Sequence, residues 1–231
     1  MVRCAVQPLK SCRLLVLAGA LLLSGCAYFS KHTAEGACRD SLGSPIRNFC
    51  VEGPGLWRGE RPTRSDATWL LQHGVATVVN LEVFLSDRFA FDRATAPAAP
   101  HQVLYFHAPD FEPVHLVNWT LLDHHVARFI AIVQRAPKPI YVHCLDGLDR
   151  TGVLIASYRV VVEGVDDEAA IAEMARYGTP WVKVDARYIR SLRVRRASIL
   201  REVAALESHL KPSARIDCDG QACRYSRGSA D

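Results

Sequence analysis

Nine consecutive residues, His143 to Thr151 (HCLDGLDRT), constrain this 231-residue chain more than any other stretch. The run before them, PIYVH at residues 139–143, is short, apolar and β-branched, which is typical of a buried strand. The run after them, residues 151–164, repeats apolar residues at helical spacing and ends in Gly164, a common helix C-cap. The pattern therefore predicts a strand, a tight loop and a helix.

A loop between a strand and a helix N-terminus presents backbone N–H groups and the positive end of a helix dipole to an anion. Gly147 and Gly152 allow the backbone to approach that anion closely. These surroundings favour the thiolate form of Cys144, and Arg150 can bind two oxygens of a phosphoryl group while the thiolate attacks phosphorus. The sequence thus predicts a phosphate-binding loop that works with a cysteine nucleophile and needs no metal or other cofactor.

The segment HCLDGLDRTG resembles the His-Cys-X5-Arg-Ser/Thr signature of cysteine-dependent protein tyrosine and dual-specificity phosphatases. The resemblance implies that Cys144 is the nucleophile, that Arg150 binds phosphate and that Thr151 assists breakdown of a phosphocysteine. It also places His143 in the catalytic group. Phosphate binding would fall on the loop as a whole: Leu145, Asp146, Gly147, Leu148, Asp149 and Arg150.

Strands and helices alternate from Leu56 to Glu163, which favours an α/β fold with a mostly parallel central sheet flanked by helices. LWRGERP at the start of this region resembles the LYRSGQP opening of compact bacterial and fungal dual-specificity phosphatases, and VVNL resembles their VINL strand. We expect the phosphatase domain to span residues 56–209. Residues 210–231 would form a polar tail, disordered except where its two cysteines pin it.

Four helices follow from apolar spacing and caps. The first, ATWLLQHG, would be capped by Ser65 or Asp66, and the others would cover residues 118–136, 166–178 and 185–209. Residues 84–100 show no clear period. The last helix carries six arginines, for which a solvated face is the simplest interpretation and contact with anionic lipid headgroups or lipopolysaccharide the alternative.

Asp110 follows the predicted strand VLYFHAP and precedes Cys144 by 34 residues. In the phosphatase family a mobile loop at this place supplies the aspartate that protonates the leaving oxygen. The resemblance therefore assigns general acid catalysis to Asp110, with Glu112 in reserve.

Two loop residues, Asp146 and Asp149, are acidic, which is unusual for a phosphate cradle. Their spacing resembles the loops of myotubularin-type and Sac-type inositide phosphatases, and in myotubularins the second aspartate takes part in acid catalysis, so Asp149 competes with Asp110. Because residues 139–182 contain no lysine, the loop disfavours a polyanionic headgroup. We expect a phosphotyrosine or phosphoserine/threonine protein, or a small phosphomonoester, as substrate, with a phosphoinositide as the alternative.

Two other classes of protein also use a loop of this kind. A non-catalytic phosphate-binding module would keep the cradle and lose a chemical residue, yet none of the signature residues is missing here. A rhodanese-type sulfurtransferase also uses a cysteine in a loop, but it lacks the fixed Arg-Thr after five intervening residues. Both are weaker interpretations than a phosphatase.

The first 25 residues predict an export signal, with a basic start, the apolar run LLVLAGALLL and no acidic residue. The signal ends in LSGC, which resembles the lipobox of bacterial lipoproteins, so Cys26 would be acylated and become the first mature residue. We expect an outer-membrane lipoprotein facing the periplasm, with residues 26–55 as tether and lead-in. An ordinary cleaved signal is the alternative.

Loss of the signal removes three of the 28 basic residues and leaves 25 against 24 acidic ones, a formal charge of +1. A near-neutral chain gives no support for nucleic-acid binding. Four cysteines remain besides Cys26 and Cys144: Cys38, Cys50, Cys218 and Cys223. In an oxidising compartment they can form two disulfides, for which three pairings are open, and their spacing is not that of a zinc site.

Overall fold

The computed structural model describes residue 38 and residues 40–95, 97–178 and 181–228. All of these belong to one compact unit, Thr33–Asp231. The predicted signal peptide, residues 1–25, and the predicted lipid attachment at Cys26 lie outside the described residues. Within the described ranges no helix is long and apolar enough to cross a membrane.

The described residues form seven strands in one sheet, eight α-helices and one π-helical turn. The strands are β1 Cys50–Gly53, β2 Leu56–Gly59, β3 Thr77–Asn80, β4 His101–His107, β5 Ile140–His143, β6 Ala214–Cys218 and β7 Cys223–Arg227. The helices are α1 Arg64–Gln72, α2 Arg88–Phe91, α3 Pro113–Val117, α4 Trp119–Arg135, α5 Asp149–Tyr158, α6 Asp167–Ala175, α7 Val182–Arg190 and α8 Leu192–Glu207. The π-helical turn Arg159–Glu163 continues α5 and ends at Gly164 with φ 71°.

The strand order is β1-β2-β5-β3-β4-β6-β7. The four inner strands β2, β5, β3 and β4 are mutually parallel, whereas β1, β6 and β7 join antiparallel at the two edges. The predicted α/β class is confirmed, and the parallel arrangement holds for the centre of the sheet. Because carboxyl ends of parallel strands meet at one edge, His143, Asn80 and His107 lie side by side there.

Two hydrophobic cores cover the faces of the inner strands. One lies between the sheet and helices α4 to α8 and includes Val142 and Ile130, and the other lies under α1 and includes Tyr141 and Leu70. Burial on both faces explains why these strands are continuous apolar runs instead of alternating ones.

The fold begins before Leu56, the predicted start of the domain. β1 pairs with β2, and Phe49 packs edge-on against Trp57 with ring centroids 5.7 Å apart. Cys38 is disulfide-bonded to Cys50. The lead-in was expected to be irregular because of its scattered Gly, Ser and Pro residues. It contains an edge strand of only four residues, which is too short to show a hydrophobic period.

The fold also continues past the predicted limit at 209. Residues 214–227 form a β-hairpin that adds β6 to β4 and closes with a Cys218–Cys223 disulfide. Ala214, Ile216 and Cys218 are buried while Arg215 and Asp217 are exposed. The tail is therefore an edge of the sheet and not disordered as predicted. Its alternation of apolar and polar residues is the sequence pattern that indicates a strand.

Helix limits differ from expectation at two places. Thr63, not Ser65 or Asp66, caps α1, and Asp66 completes a capping box by accepting from the Thr63 N–H. The single helix expected over 185–209 divides at Ser191, whose hydroxyl donates to the Tyr188 carbonyl and competes with the helical hydrogen bonds. Arginines of α7 and α8 pair with α6, among them Arg190 with Glu168 and Arg193 with Asp167.

Candidate active site

The predicted strand, loop and helix are β5, residues 144–148 and α5. β5 lies between β2 and β3 in the middle of the sheet, and Cys144 follows its carboxyl end. The Cys144 thiol is free and its residue is 2% exposed. The predicted nucleophile is therefore buried at the start of the loop that leads from β5 to α5.

Arg58 of β2 holds the rear of this loop. The guanidinium donates to the Gly147 carbonyl from Nη2 at 2.5 Å and Nε at 3.2 Å, and to the Leu148 carbonyl at 3.3 Å. It lies 3.7 Å from the centroid of the Tyr177 ring and 3.2 Å from the Glu52 carboxylate. A buried cation thus turns two loop carbonyls away from the cradle.

Two further carbonyls are held on the same outer side. The Arg61 N–H donates to the Leu145 carbonyl at 3.0 Å, and Asn48 Nδ2 donates to the Asp146 carbonyl at 3.0 Å. Arg47 pairs with the Asp146 carboxylate at 3.2 Å. Since the carbonyls point outward, the intervening N–H groups are free to face an anion bound above Cys144.

Gly147 is required by both conformation and space. Its φ is 71°, and a Cβ at this position would collide with the Gly59 carbonyl oxygen of β2. The loop therefore lies directly on the neighbouring strand, which only glycine permits here.

His143 is held between two acceptors. Its Nδ1 lies 3.0 Å from the Cys144 carbonyl oxygen and its Nε2 lies 2.8 Å from Asp87 Oδ2, so both ring nitrogens must carry hydrogen. Burial opposes this charge, but the Asp87 carboxylate outweighs it and raises the pKa of His143. His143 is thus an imidazolium that holds the carbonyl oxygen of Cys144.

Arg150 lies in the first turn of α5 and is engaged by Glu112. Its Nε donates to Glu112 Oε1 at 2.9 Å, and its Nη1 reaches the Leu81 carbonyl at 3.4 Å. Burial lowers the pKa of Arg150, but the charges of Cys144 and Glu112 outweigh it and raise that pKa. The predicted phosphate ligand is therefore paired with a carboxylate in this structure.

Asp110, the proton donor expected from the sequence, is held by two histidines. It is buried, with His125 Nδ1 at 2.7 Å from Oδ1 and His115 Nε2 at 3.0 Å from Oδ2, and His115 Nδ1 lies 2.9 Å from Asp185. Burial opposes ionisation of Asp110, but the two histidines outweigh it and lower its pKa to about 2. Asp110 is therefore an ionised partner of histidines in this conformation.

Glu112, the reserve, contacts Arg150 directly. Burial raises its pKa, against the opposing effect of Arg150.

Thr151 is buried in the first turn of α5, and no described group hydrogen-bonds its hydroxyl oxygen. Asp149 begins α5. The described residues contain no cluster of three or more His, Cys, Asp or Glu that could hold a metal.

Sequence reasoning missed the groups that support the loop. Arg47, Asn48 and Asp87 come from irregular segments that carry no period, and nothing in the sequence placed them here. The role of Arg58 could have been predicted, because an arginine inside an apolar strand needs a buried hydrogen-bonding or charged partner.

The sequence is similar to those of known phosphatases. Residues 52–188 match the family described as DSP-PTPase phosphatase fused to NAD+ kinase. The chain is 34% identical over 181 residues to the dual specificity protein phosphatase TpbA of Pseudomonas aeruginosa, covering 74% of this chain and 75% of TpbA.

Solved structures show the same fold. A crystal structure of P. aeruginosa TpbA in complex with phosphotyrosine aligns with TM-score 0.55 and 26% identity over 75% of this chain and 98% of that one. Another crystal structure of TpbA aligns with TM-score 0.54 and 27% identity. With Cys144 on the loop after β5 and Arg150 in the first turn of α5, this chain belongs to the dual-specificity protein phosphatase family.

Proposed function

We propose that the protein hydrolyses phosphomonoesters through a phosphocysteine, acting on phosphotyrosine or phosphoserine/threonine in proteins. The observation that carries this proposal is the loop geometry: Cys144 lies below a cradle whose carbonyls are held outward, with Arg150 beside it. The complex of TpbA with phosphotyrosine supports the choice of substrate.

In the first step the Cys144 thiolate attacks phosphorus, a sulfur–phosphorus bond forms and the bond from phosphorus to the ester oxygen breaks. The leaving oxygen takes a proton from a general acid. Loop N–H groups and Arg150 stabilise the equatorial oxygens throughout. In the second step water attacks phosphorus and gives a proton to the carboxylate left by the general acid, the sulfur–phosphorus bond breaks and phosphate leaves. We assign to the Thr151 hydroxyl, which is buried, the hydrogen bond to the departing thiolate.

We assign the general acid to Glu112 in preference to Asp110. Displacement of Glu112 from Arg150 by substrate would leave its carboxyl beside the bound phosphoryl group, in surroundings that already raise its pKa. Asp110 is held by two histidines instead. Asp149 at the start of α5 remains the competing candidate.

Hydrolysis of p-nitrophenyl phosphate tests the mechanism. We expect activity in the presence of a chelator and its loss in Cys144→Ser, and activity that survives that change or requires a divalent metal would contradict the mechanism. Trapping of a phosphoenzyme after rapid acid quench tests the intermediate. Absence of turnover with tight phosphate binding would identify a non-catalytic module.

The acid is tested by three variants, Glu112→Gln, Asp110→Asn and Asp149→Asn. General acid catalysis contributes about 10²–10⁴-fold, and only its loss flattens the basic limb of the pH profile. We expect that result for Glu112→Gln alone. A flat limb in Asp110→Asn would restore the original assignment.

A phosphoinositide is the second candidate. Arg47 pairs with Asp146, which offsets one of the two loop charges that disfavour a polyanionic headgroup. Comparing kcat/KM for phosphotyrosine peptides with that for short-chain phosphoinositides distinguishes the two, and we expect the peptides to be preferred.

We propose further that the chain is exported and acylated at Cys26, as an outer-membrane lipoprotein facing the periplasm. Disulfides Cys38–Cys50 and Cys218–Cys223 suit an oxidising compartment and support this location. Metabolic labelling with a palmitate analogue is expected to mark the protein, and unchanged labelling of Cys26→Ala would refute attachment there.

A further inference from the structure

Exposed large apolar side chains are concentrated beside Arg150. Ten large apolar residues of the described chain are exposed, and eight of them lie in two short segments, 84–89 and 111–121. We call these eight the apolar rim: Phe84, Leu85, Phe89, Phe111, Leu116, Val117, Trp119 and Leu121. Soluble monomers rarely expose a contiguous patch of this kind without a partner for it.

Both segments of the rim border the mouth of the active site. The Leu81 carbonyl accepts from Arg150 Nη1 at 3.4 Å and from the Asp110 N–H at 3.0 Å, so the chain after β3 and the chain after β4 meet at Arg150. Phe84 follows Leu81 by three residues, and Phe111 precedes Glu112. Each segment of the rim therefore begins within a few residues of a contact with Arg150.

Arginines accompany the rim. Arg93 lies 6.0 Å from the centroid of the Phe89 ring, and Arg195 lies 5.1 Å from that of Trp119. Arg187 lines a small cavity together with Leu116 and Trp119. Apolar side chains interleaved with Trp and Arg match the boundary between acyl chains and anionic headgroups.

The start of the described chain lies at the same end of the sheet. Cys38 is bonded to Cys50, and the preceding residues Arg47 and Asn48 contact Asp146 of the phosphate-binding loop. Between Cys26 and Cys38 there are twelve residue steps, which span at most about 40 Å when extended. An acyl chain on Cys26 would therefore keep this end of the molecule close to the bilayer.

We propose that the apolar rim docks on a lipid surface, so that the active site opens toward the headgroup layer of the membrane. The inference rests on the two segments, their arginines and the short tether. It implies that the phosphomonoester acted upon is presented at the membrane surface. It does not depend on which general acid operates.

The test uses tryptophan as a depth probe in the acylated protein. In a Trp119→Phe background, Phe84→Trp places a reporter on the rim and Val194→Trp places one on α8, at residues that are 90% and 91% exposed. The protein is reconstituted in vesicles of phosphatidylethanolamine and phosphatidylglycerol brominated on their acyl chains. We expect added quenching for Phe84→Trp and none for Val194→Trp. Equal quenching of both, or of neither, would overturn the proposal.

A second measurement removes the dependence on acylation. A chain that begins at Thr33 keeps every described residue and its compact unit, and it is floated with the same vesicles. Taking Phe84 out of the interface by Phe84→Ser should lower the partition coefficient about tenfold or more, whereas Val194→Ser should leave it unchanged. Lower activity on soluble phosphopeptides without any change in partitioning would show that the rim binds polypeptide and would refute a lipid partner.

Hydrolysis of p-nitrophenyl phosphate by the same variants separates this proposal from the proposed function. We expect the rim variants to retain it, because no rim side chain supplies a proton or a phosphate ligand. If the unsubstituted chain hydrolyses p-nitrophenyl phosphate but does not bind vesicles, the rim proposal is rejected and the phosphatase mechanism stands.

Discussion

Arg58 makes three hydrogen bonds to the carbonyls of the loop between β5 and α5. It donates to two loop carbonyls from behind while its charge is balanced by Glu52. We predict that Arg58→Lys, which keeps the charge and loses the planar fork, lowers the free energy of unfolding by about 2–4 kcal/mol. Denaturation in urea measures this.

The same change should reduce activity, because the loop N–H groups lose their alignment. We expect kcat/KM for p-nitrophenyl phosphate to fall about tenfold to a hundredfold, with weaker inhibition by inorganic phosphate. Arg64→Lys, on the exposed side of α1, is the matched control and should change neither quantity. An Arg58→Lys protein with normal phosphate affinity would show that the loop keeps its shape without this support.

At the scale of elements, α3 is fastened by a buried histidine. His115 lies between Asp110 and Asp185, and although burial opposes its charge, the two carboxylates raise its pKa to about 10. A pKa above the unfolded value of about 6.5 stabilises the fold below that pH, and the stabilisation is lost as pH rises toward about 10. The lowered pKa of Asp110 has the opposite effect: it stabilises the fold above about pH 4, and this stabilisation is lost as the pH falls below that value.

We therefore predict that His115→Gln costs about 3–5 kcal/mol of unfolding free energy near pH 6, since it leaves buried carboxylates without their cation. The difference from wild type should shrink between pH 7 and pH 10, as measured by urea denaturation at several pH values. His124→Gln, on the exposed face of α4, is the control. A difference that is constant with pH would show that His115 is neutral in the folded protein.

The C-terminal hairpin is a second element whose role can be measured. Ile216 of β6 is fully buried in the core under α1, whereas its neighbour Arg215 is exposed. We predict that Ile216→Ala lowers the free energy of unfolding by about 2–5 kcal/mol and that Arg215→Ala changes it by less than about 0.5 kcal/mol. Equal, small effects would mean that the tail is not part of the folded core.

The sequence allowed accurate prediction where a local pattern is long or chemically distinctive. HCLDGLDRT predicted the strand, loop and helix that place Cys144 and Arg150, and the α4 pattern predicted Asn118 as its start. The four-residue β1 and the hairpin were missed, because short edge strands take their stability from pairing with β2 and β4.

The general acid stays a prediction, because the sequence offers more than one carboxylate for it. Spacing from a strand end locates a segment but not the direction of each side chain within it. Asp110 and Glu112 are two residues apart, yet one is drawn to His115 and His125 and the other to Arg150. Those partners come from α3, α4 and α5, so the different surroundings of the two carboxylates could not be predicted from the local sequence.

At the scale of the whole molecule, two disulfides fasten the two ends of the described chain to opposite edges of the sheet. Cys38–Cys50 lies beside β1, where Arg47 and Asn48 support the phosphate-binding loop, and Cys218–Cys223 closes the hairpin beyond β4. Their sequence separations are 12 and 5, for which chain entropy gives stabilisations of about 3 and about 2 kcal/mol.

The two disulfides should therefore make similar contributions to the free energy of unfolding but different contributions to activity. We predict that replacing Cys38 and Cys50 together by serine lowers both the unfolding free energy and kcat/KM, because the segment that holds the Asp146 carbonyl is released. Replacing Cys218 and Cys223 together should lower only the unfolding free energy. Urea denaturation and steady-state hydrolysis of p-nitrophenyl phosphate measure the two effects, and an equal loss of kcat/KM in both double variants would show that activity follows global stability and not support of the loop.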